Sequence, residues 1–413
     1  MNRTQIFHRE ALAKRLAVEI MSEDGASGLF ITGPRRTGKS TFIREDLIPI
    51  LEKAYDTQVV YVDLWEDRAA NPGNVIVAAL RAELLKFDGF IMKAAKGVGV
   101  DKIKVGGLEM SLDHIGFGKG ESLPKALMVL SAAAKKPVTL IIDEAQHTQT
   151  TDEGRQALYA LKAARDALNA SAGSGFRLLA IGSSSDKLAS LVEDKDQAFY
   201  QAPLMQLPTL GTDYLEWFRE RQRFEPKPSL EAMVRAFDAC NHRPEPLRAV
   251  FRDLNLETGV HPADIDRVFE AMVAASLARA KANFLQQVNG LDPLDAAVLK
   301  LMARDGKNFV PYSKTTFFDY KAFILAETGE IPAEVNQSAV QQALERLRAE
   351  KFVWRAGRGA YLIEDTQHAV WIQEVIANEA GELDRARKEV SAHAAAALIS
   401  KASGSGSGRK PGR

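Results

Sequence analysis

Residues 28–46, Gly-Leu-Phe-Ile-Thr-Gly-Pro-Arg-Arg-Thr-Gly-Lys-Ser-Thr-Phe-Ile-Arg-Glu-Asp, decide how this chain is read. Gly33, Pro34, Arg35, Arg36, Thr37, Gly38, Lys39 and Ser40 fill every position of G-x-x-x-x-G-K-[ST], the phosphate-binding loop of nucleoside triphosphatases. Leu29, Phe30 and Ile31 before it predict a short buried strand, and Thr41 to about Leu51 after it a helix. A strand–loop–helix of this kind aims successive backbone N–H groups and a helix N-terminus at a polyphosphate. Gly33 and Gly38 admit backbone conformations that a side chain would forbid. Lys39 is expected to reach the β- and γ-phosphates, and the Ser40 hydroxyl to ligate Mg²⁺. ATP and Mg²⁺ are therefore the expected ligands, with Thr41 closing the run of loop contacts.

A second feature lies about 100 residues further on, at the distance such a fold allows. Pro137-Val138-Thr139-Leu140-Ile141-Ile142-Asp143-Glu144 is an apolar strand ending in two acids, the Walker B pattern. Asp143 is expected to hold Mg²⁺, and Glu144 to polarise the attacking water as general base. Gln146 and His147 read as residues that simply follow the strand.

Composition narrows the class. The chain has 413 residues, room for two or three domains, with 46% apolar and 26% charged residues. Net charge is zero, so a nucleic-acid site must be a local patch. No apolar run approaches the ~20 residues needed to cross a bilayer. The N-terminus lacks a signal-peptide core, which makes the cytoplasm the expected location. The single Cys240 excludes an internal disulfide and a cysteine-based metal cluster.

Between and after these features the chain alternates strands and helices. Residues 4–21 predict an amphipathic helix, residues 58–64 a buried strand, and Asn74 to Phe87 a helix. Such alternation implies an α/β fold with a parallel sheet. Residues 97–120 interrupt it with a pattern around Gly106-Gly107 that predicts a β-hairpin insertion. The insertion suits a structural or subunit contact, or a contact to DNA. A further helix spans Arg155 to about Leu168, and a buried strand spans Arg177–Gly182 with Ser183 and Ser184 at its end. A short strand follows between Phe199 and Leu210, then a helix from Tyr214 to Arg223, and Pro226 and Pro228 mark a linker. Residues 229–285 read as helical throughout.

The combination resembles AAA+ ATPases, in the branch of initiator (origin-recognition), transposition-regulator and STAND proteins. The stretch Ile6-Phe7-His8-Arg9-Glu10-Ala11-Leu12 resembles the box that cradles adenine there, with His8 in place of the usual Gly. Phe7 and Arg9 are accordingly expected at the base. The resemblance further implies a sensor residue at the strand end, Ser183 first and Ser184 second. It implies a lid arginine, Arg243 with Arg248 behind it. It also implies an arginine lent by a neighbouring subunit, yet no Arg lies between Arg177 and Arg219, which leaves Lys195 or Arg165.

The C-terminal part carries another pattern. Asp292-Pro293-Leu294-Asp295 caps a helix to about Ala303, Tyr312–Glu327 predicts a second and residues 337–348 a third. Residues 352–354 and 360–363 then flank Arg355-Ala356-Gly357-Arg358-Gly359. Three helices and a basic hairpin resemble a winged helix, which lays its third helix in the major groove. Arg355, Arg358, Arg346, Arg348 and Lys314 are the expected DNA contacts, though winged helices also bind proteins.

The expected layout is a parallel-sheet P-loop NTPase (AAA+) core over residues 1–225 and a helical lid over 226–288. A winged-helix domain over 289–366, helices over 367–400 and a flexible tail over 401–413 complete it. The expected function is an ATP-hydrolysing switch, slow or regulated, that self-assembles and engages double-stranded DNA. The alternative is a STAND-like scaffold whose partner is a protein.

Overall fold

The computed structural model describes residues 6–67, 70–87, 102–105, 108–111, 123–170, 175–183, 185–257, 260–332, 334–357 and 360–404. The chain divides into two compact units, Met1–Ala274 and Ala275–Arg413.

The first unit is an α/β domain built on a five-stranded parallel sheet in the order β2-β5-β6-β1-β7. Its strands are β1 (Leu29–Thr32), β2 (Gln58–Asp63), β5 (Val138–Asp143), β6 (Phe176–Gly182) and β7 (Leu204–Gln206). Their apolar runs face two cores because alternate side chains leave opposite faces of a strand. Phe30, Val60, Val62, Leu140, Ile142, Leu178 and Ala180 join one core. Leu29, Ile31, Val59, Ile141, Leu179 and Ile181 join the other. The second face is covered by α1 (Glu10–Met21) through Ala13, Leu16 and Ile20. Beside it lies the helix after the phosphate loop, α2 (Lys39–Phe42), which continues through a π-turn (Ile43–Leu47) into α3 (Ile48–Ala54). The first face is covered by α4 (Pro72–Lys86), α5 (Leu123–Ala134) and α6 (Asp152–Asn169), with Ile76, Leu80, Leu127 and Leu158 pointing inward. The expected hairpin is present as β3 (Lys102–Val105) paired antiparallel with β4 (Leu108–Ser111).

After α7 (Ser185–Glu193) and α8 (Thr212–Glu220) come α9 (Leu230–Ala239) and α10 (Pro244–Leu254), in the stretch expected as a lid. Rings fasten this part together: Tyr214 to Phe237 at 5.7 Å, Phe218 to Phe251 at 5.0 Å and Phe251 to Phe269 at 5.2 Å.

The division between units falls inside the long helix α11 (Ile265–Asn289), earlier than the expected step at 288/289. The reason is packing: Phe284 and Val288, near the end of α11, belong to the core of the second unit. That unit holds α12 (Pro293–Asp305), α13 (Lys314–Thr328), α14 (Gln337–Ala349) and the hairpin β8 (Val353–Gly357) with β9 (Ala360–Ile363). The helices α15 (Thr366–Asn378) and α16 (Ala380–Gly404) belong to it as well, through Ile372, Leu383, Ala386 and Val390. The last helix thus extends four residues into the stretch expected as tail, and 405–413 lie outside the described residues.

Leu140 is fully buried on β5, an interior strand of the sheet. Leu140→Ala is expected to destabilise the first unit by about 2–5 kcal/mol. Hydrogen exchange should then speed up in β1, β5 and β6 peptides while peptides of the second unit keep their rates.

Candidate functional site

Parallel strands put their C-terminal ends along one edge, where α/β proteins bind ligands. On that edge β1 runs into the phosphate loop, β6 is followed by Ser183, and β5 ends at Asp143. The loop is tied to the neighbouring strand by Gly33 N–H donating to the Gly182 carbonyl at 3.2 Å. Gly38 takes φ +82°, a left-handed conformation that strains any side chain. A Cβ at Gly33 would come within 3.3 Å of Lys39 Cδ, so this glycine makes room for the lysine stem. Lys39 is 6% exposed, and its Nζ donates to the Pro34 carbonyl at 2.7 Å. Burial lowers the Lys39 pKa, Glu144 and Asp143 hold it up, and Arg35 adds to the lowering.

Ser40 Oγ donates to Asp143 Oδ2 at 2.7 Å, and the Tyr61 hydroxyl donates to the same oxygen at 2.7 Å. Glu144 N–H donates to Asp143 Oδ1 at 3.0 Å, so the carboxylate is fixed from both sides. Burial and the nearby Asp143 raise the Tyr61 pKa, which keeps that hydroxyl a donor at neutral pH. Arg44 roofs the Tyr61 ring at 4.6 Å and pairs with Asp63 at 3.1 Å. Ser40 and Asp143 are hard oxygen donors, and magnesium characteristically combines one or two such protein oxygens with water and phosphate. The residues present therefore fit a magnesium–nucleotide complex.

Glu144 takes φ 54°, a costly conformation for a non-glycine residue and typical of functional sites. Its Oε2 accepts from Ser183 Oγ at 2.7 Å, from Ser183 N at 3.4 Å, and from Gln146 Nε2. Gln146 is thus part of the acidic cluster rather than a bystander after the strand. Ser183 Oγ in turn accepts from Arg35 Nε at 3.2 Å. The Arg35 guanidinium lies on the Trp65 ring at 4.1 Å. Trp65 is held by its own N–H on Asp63 Oδ1 at 2.9 Å, and by Nε1 donating to His147 Nε2. Ser184 lies outside the described residues.

The expected adenine box is fastened to the helix that follows the loop. His8 Nδ1 meets Asp46 Oδ1 at 2.6 Å, and Arg9 N–H donates to Asp46 Oδ2 at 2.8 Å. Asp46 is buried and lies in the π-turn between α2 and α3. Arg9 also donates to the Pro208 carbonyl at 2.6 Å and stands over Phe42 at 5.5 Å. Phe7 packs edge-on against Tyr214 and Trp217, each at 5.5 Å.

Glu245, in the first turn of α10, pairs with Arg36 of the loop at 3.6 Å. Both are exposed, so the pair adds little stability, but it brings the start of α10 to the loop. Arg243 stands immediately before α10, its Nε on the Cys240 carbonyl at 3.3 Å. Burial pushes the Cys240 thiol up to about 11, against the opposing charge of Arg243. Arg248 is exposed and lies close enough to offset the burial that raises the Tyr214 pKa. Arg165 bonds the Ser27 carbonyl at 2.9 Å, before the start of β1 and hence at the other end of the sheet from the loop. Lys195 is exposed beyond the end of α7.

In the second unit Arg346 is committed internally. Its Nε and Nη2 grip buried Asp295 at 2.8 and 2.6 Å, which clamps α14 to α12. Arg346 thus has a packing role, while its side chain stays 44% exposed. Arg348 pairs with Glu345 at 3.3 Å, and Lys314 is exposed in the first turn of α13. Arg355 lies on β8, and Arg358 is outside the described residues. The polar face of α14 is joined to the hairpin by Gln341 and Glu345, both bonded to the Tyr361 hydroxyl at 3.1 Å.

No family model matches the chain, and no curated protein does. Solved structures do. The ORC2 protein of Aeropyrum pernix in its ADP form is 15% identical, covering 92% of this chain and 93% of that one with a TM-score of 0.49. The ORC1 protein of the same organism, in complex with DNA, is 15% identical over 89% and 93%, with a TM-score of 0.41. CDC6P from Pyrobaculum aerophilum is 14% identical over 92% and 94%, with a TM-score of 0.33. The chemistry of the site follows from this chain's own atoms.

Tyr61→Phe removes one donor from Asp143 and the hydroxyl's contact with Arg44, and keeps the ring under Arg44. It is expected to leave the affinity for a fluorescent ATP analogue in EDTA unchanged. The Mg²⁺ concentration needed for tight binding should rise by roughly 10–100-fold, the usual effect of deleting a partner of a metal ligand.

Proposed function

We propose that the first unit binds and hydrolyses ATP as a molecular switch and that the second engages double-stranded DNA. The observation that carries this reading is the Ser40–Asp143 hydrogen bond at 2.7 Å. It joins two motifs 103 residues apart at the point where a triphosphate and its metal need both.

The loop from Gly33 to Thr41 wraps the phosphates with its N–H groups, and Lys39 neutralises the β- and γ-oxygens. Phe7 and Arg9 border the adenine. Ser40 and Asp143 would hold Mg²⁺, which when bound withdraws charge from the phosphate oxygens. Glu144 orients a water and removes one of its protons. The water oxygen bonds the γ-phosphorus while the bond to the β–γ bridging oxygen breaks, its electron pair remaining on ADP. The proton leaves through Glu144 to solvent. Ser183 and Gln146 fix Glu144 Oε2, which directs Oε1 towards the water. Arg243 reaches the nucleotide from the lid, so lid position and self-assembly follow nucleotide state.

Lys39→Ala is expected to abolish tight ATP binding. Glu144→Gln should bind ATP normally and lose hydrolysis by roughly 10²–10⁴-fold. Phosphate release at the wild-type rate from Glu144→Gln would remove Glu144 from its assigned role.

A second reading is favoured by the internal pairing of Arg346 and Arg348: a scaffold ATPase of STAND type whose partner is a protein. Duplex DNA binding across a salt series separates the two. Under the DNA reading affinity falls steeply with salt, and Lys314→Ala, Arg348→Ala, Arg355→Ala and Arg358→Ala each reduce the logarithmic slope by about one. No duplex binding at low salt selects the scaffold.

A further inference from the structure

We propose that Arg35 supplies, from within its own chain, the cation that stabilises γ-phosphoryl transfer, and that Trp65 positions it. This rests on the ATPase reading above and adds to Lys39 a second loop cation at that site. Phosphoryl transfer builds negative charge on the γ-oxygens, and an arginine in cis or in trans is a recurrent answer to it.

The neighbouring candidates are poorly suited. Arg165 is bonded to the Ser27 carbonyl at the far end of β1, and no arginine lies between Arg177 and Arg219. Arg35 is well suited on three counts. It belongs to the loop that wraps the phosphates. Its Nε sits 3.2 Å from Ser183 Oγ, and that oxygen sits 2.7 Å from Glu144 Oε2, so one hydroxyl separates the guanidinium from the proposed base. Its planar group is stacked on the Trp65 indole at 4.1 Å. Stacking uses the face of a guanidinium and not its N–H edge, which is the part that bonds phosphate.

The platform is itself fixed. Trp65 follows β2 by two residues, and its indole N–H is bonded to His147, just past Glu144. The cation is therefore held in place before any phosphate charge develops, which is how preorganised electrostatics lowers a barrier. The adjacent Arg36 has a different partner. It is exposed and pairs with Glu245 of the lid at 3.6 Å, so the two loop arginines divide between chemistry and lid contact. In the reaction Arg35 exchanges no proton. It only balances charge while the water oxygen bonds phosphorus and the electron pair of the breaking bond stays on ADP.

The full-length chain carries the test. Arg35→Ala is expected to lower the hydrolysis rate by roughly 10³-fold or more, with ADP affinity kept within roughly threefold as evidence of an intact fold. Wild type should bind ADP with aluminium fluoride, a mimic of the transferring group, more tightly than ADP alone, and Arg35→Ala should lose that gain. Trp65→Ala should lose part of it, and Trp65→Phe should restore it. Mixing Arg35→Ala with Glu144→Gln should give only the weighted sum of the parental rates at every ratio. A mixture far more active than either parent would show that Arg35 acts on a neighbour's site and overturn the proposal. So would an Arg35→Ala protein that hydrolyses ATP, or prefers the aluminium fluoride complex, like wild type. An inactive wild-type chain would instead refute the ATPase reading on which the proposal stands.

Discussion

The contact between the Ser40 hydroxyl and the Asp143 carboxylate constrains everything around it. Their strands are not neighbours: β6 lies between β5 and β1. The loop must therefore arch across the end of β6 for Ser40 to reach Asp143. The end of β6 is built for that crossing. Its Gly182 carbonyl receives the loop at Gly33, and a Cβ at Gly182 would meet Gln146 Oε1 at 2.5 Å and Leu188 Cδ1 at 3.2 Å. A larger residue there would crowd Gln146, which bonds Glu144, and Leu188 of α7.

The same convergence gathers opposite charges in a poorly solvated space. Lys39 and Asp143 are buried, Glu144 and Arg35 border them, and the formal charges cancel. Burying charges is tolerable only when each has compensating partners. Here Lys39 is held by a backbone carbonyl, that of Pro34, and makes no direct ion pair among the described residues. A neutral carbonyl competes weakly with a phosphate oxygen, because hydrogen bonds to charged acceptors are roughly twice as strong. The lysine can therefore turn from the loop to a phosphate without breaking a salt bridge.

The features readable in the amino-acid order were those carried by local spacing. The eight loop positions, the apolar run into Asp143-Glu144 and the 3.6-residue periodicity of the helices each lie within a short window. The α/β sheet and the helical succession after it follow from them. What was not readable depends on contacts between distant positions. Tyr61 reads as one more residue of a buried strand until its hydroxyl is found on Asp143, 82 residues away. Arg35 meets Ser183 over a separation of 148. Asp295 looks like a helix-start residue, yet it is buried and takes Arg346 from 51 residues later. The unit boundary was hidden for a related reason, since α11 keeps helical periodicity while its two halves serve different cores.

Under the ATP-switch reading proposed above, two sets of contacts inside the first unit would couple a nucleotide to α9 and α10. One is polar and short, from Arg36 in the loop to Glu245 at the start of α10. Both groups are well solvated, so this pair can form and break at little cost and suits a readout of loop conformation. The other is apolar and continuous. Phe7, in the segment fastened to the loop helix through Asp46, touches Tyr214, and Tyr214 touches Phe237 in α9. Packed aromatic contacts resist gradual deformation, so under that reading a base that displaced Phe7 would act on α8 and α9 through these rings. A reversible polar pair beside the loop and a stiff apolar linkage beside Phe7 would together make the position of α9 and α10 respond to the whole nucleotide and not to either half alone.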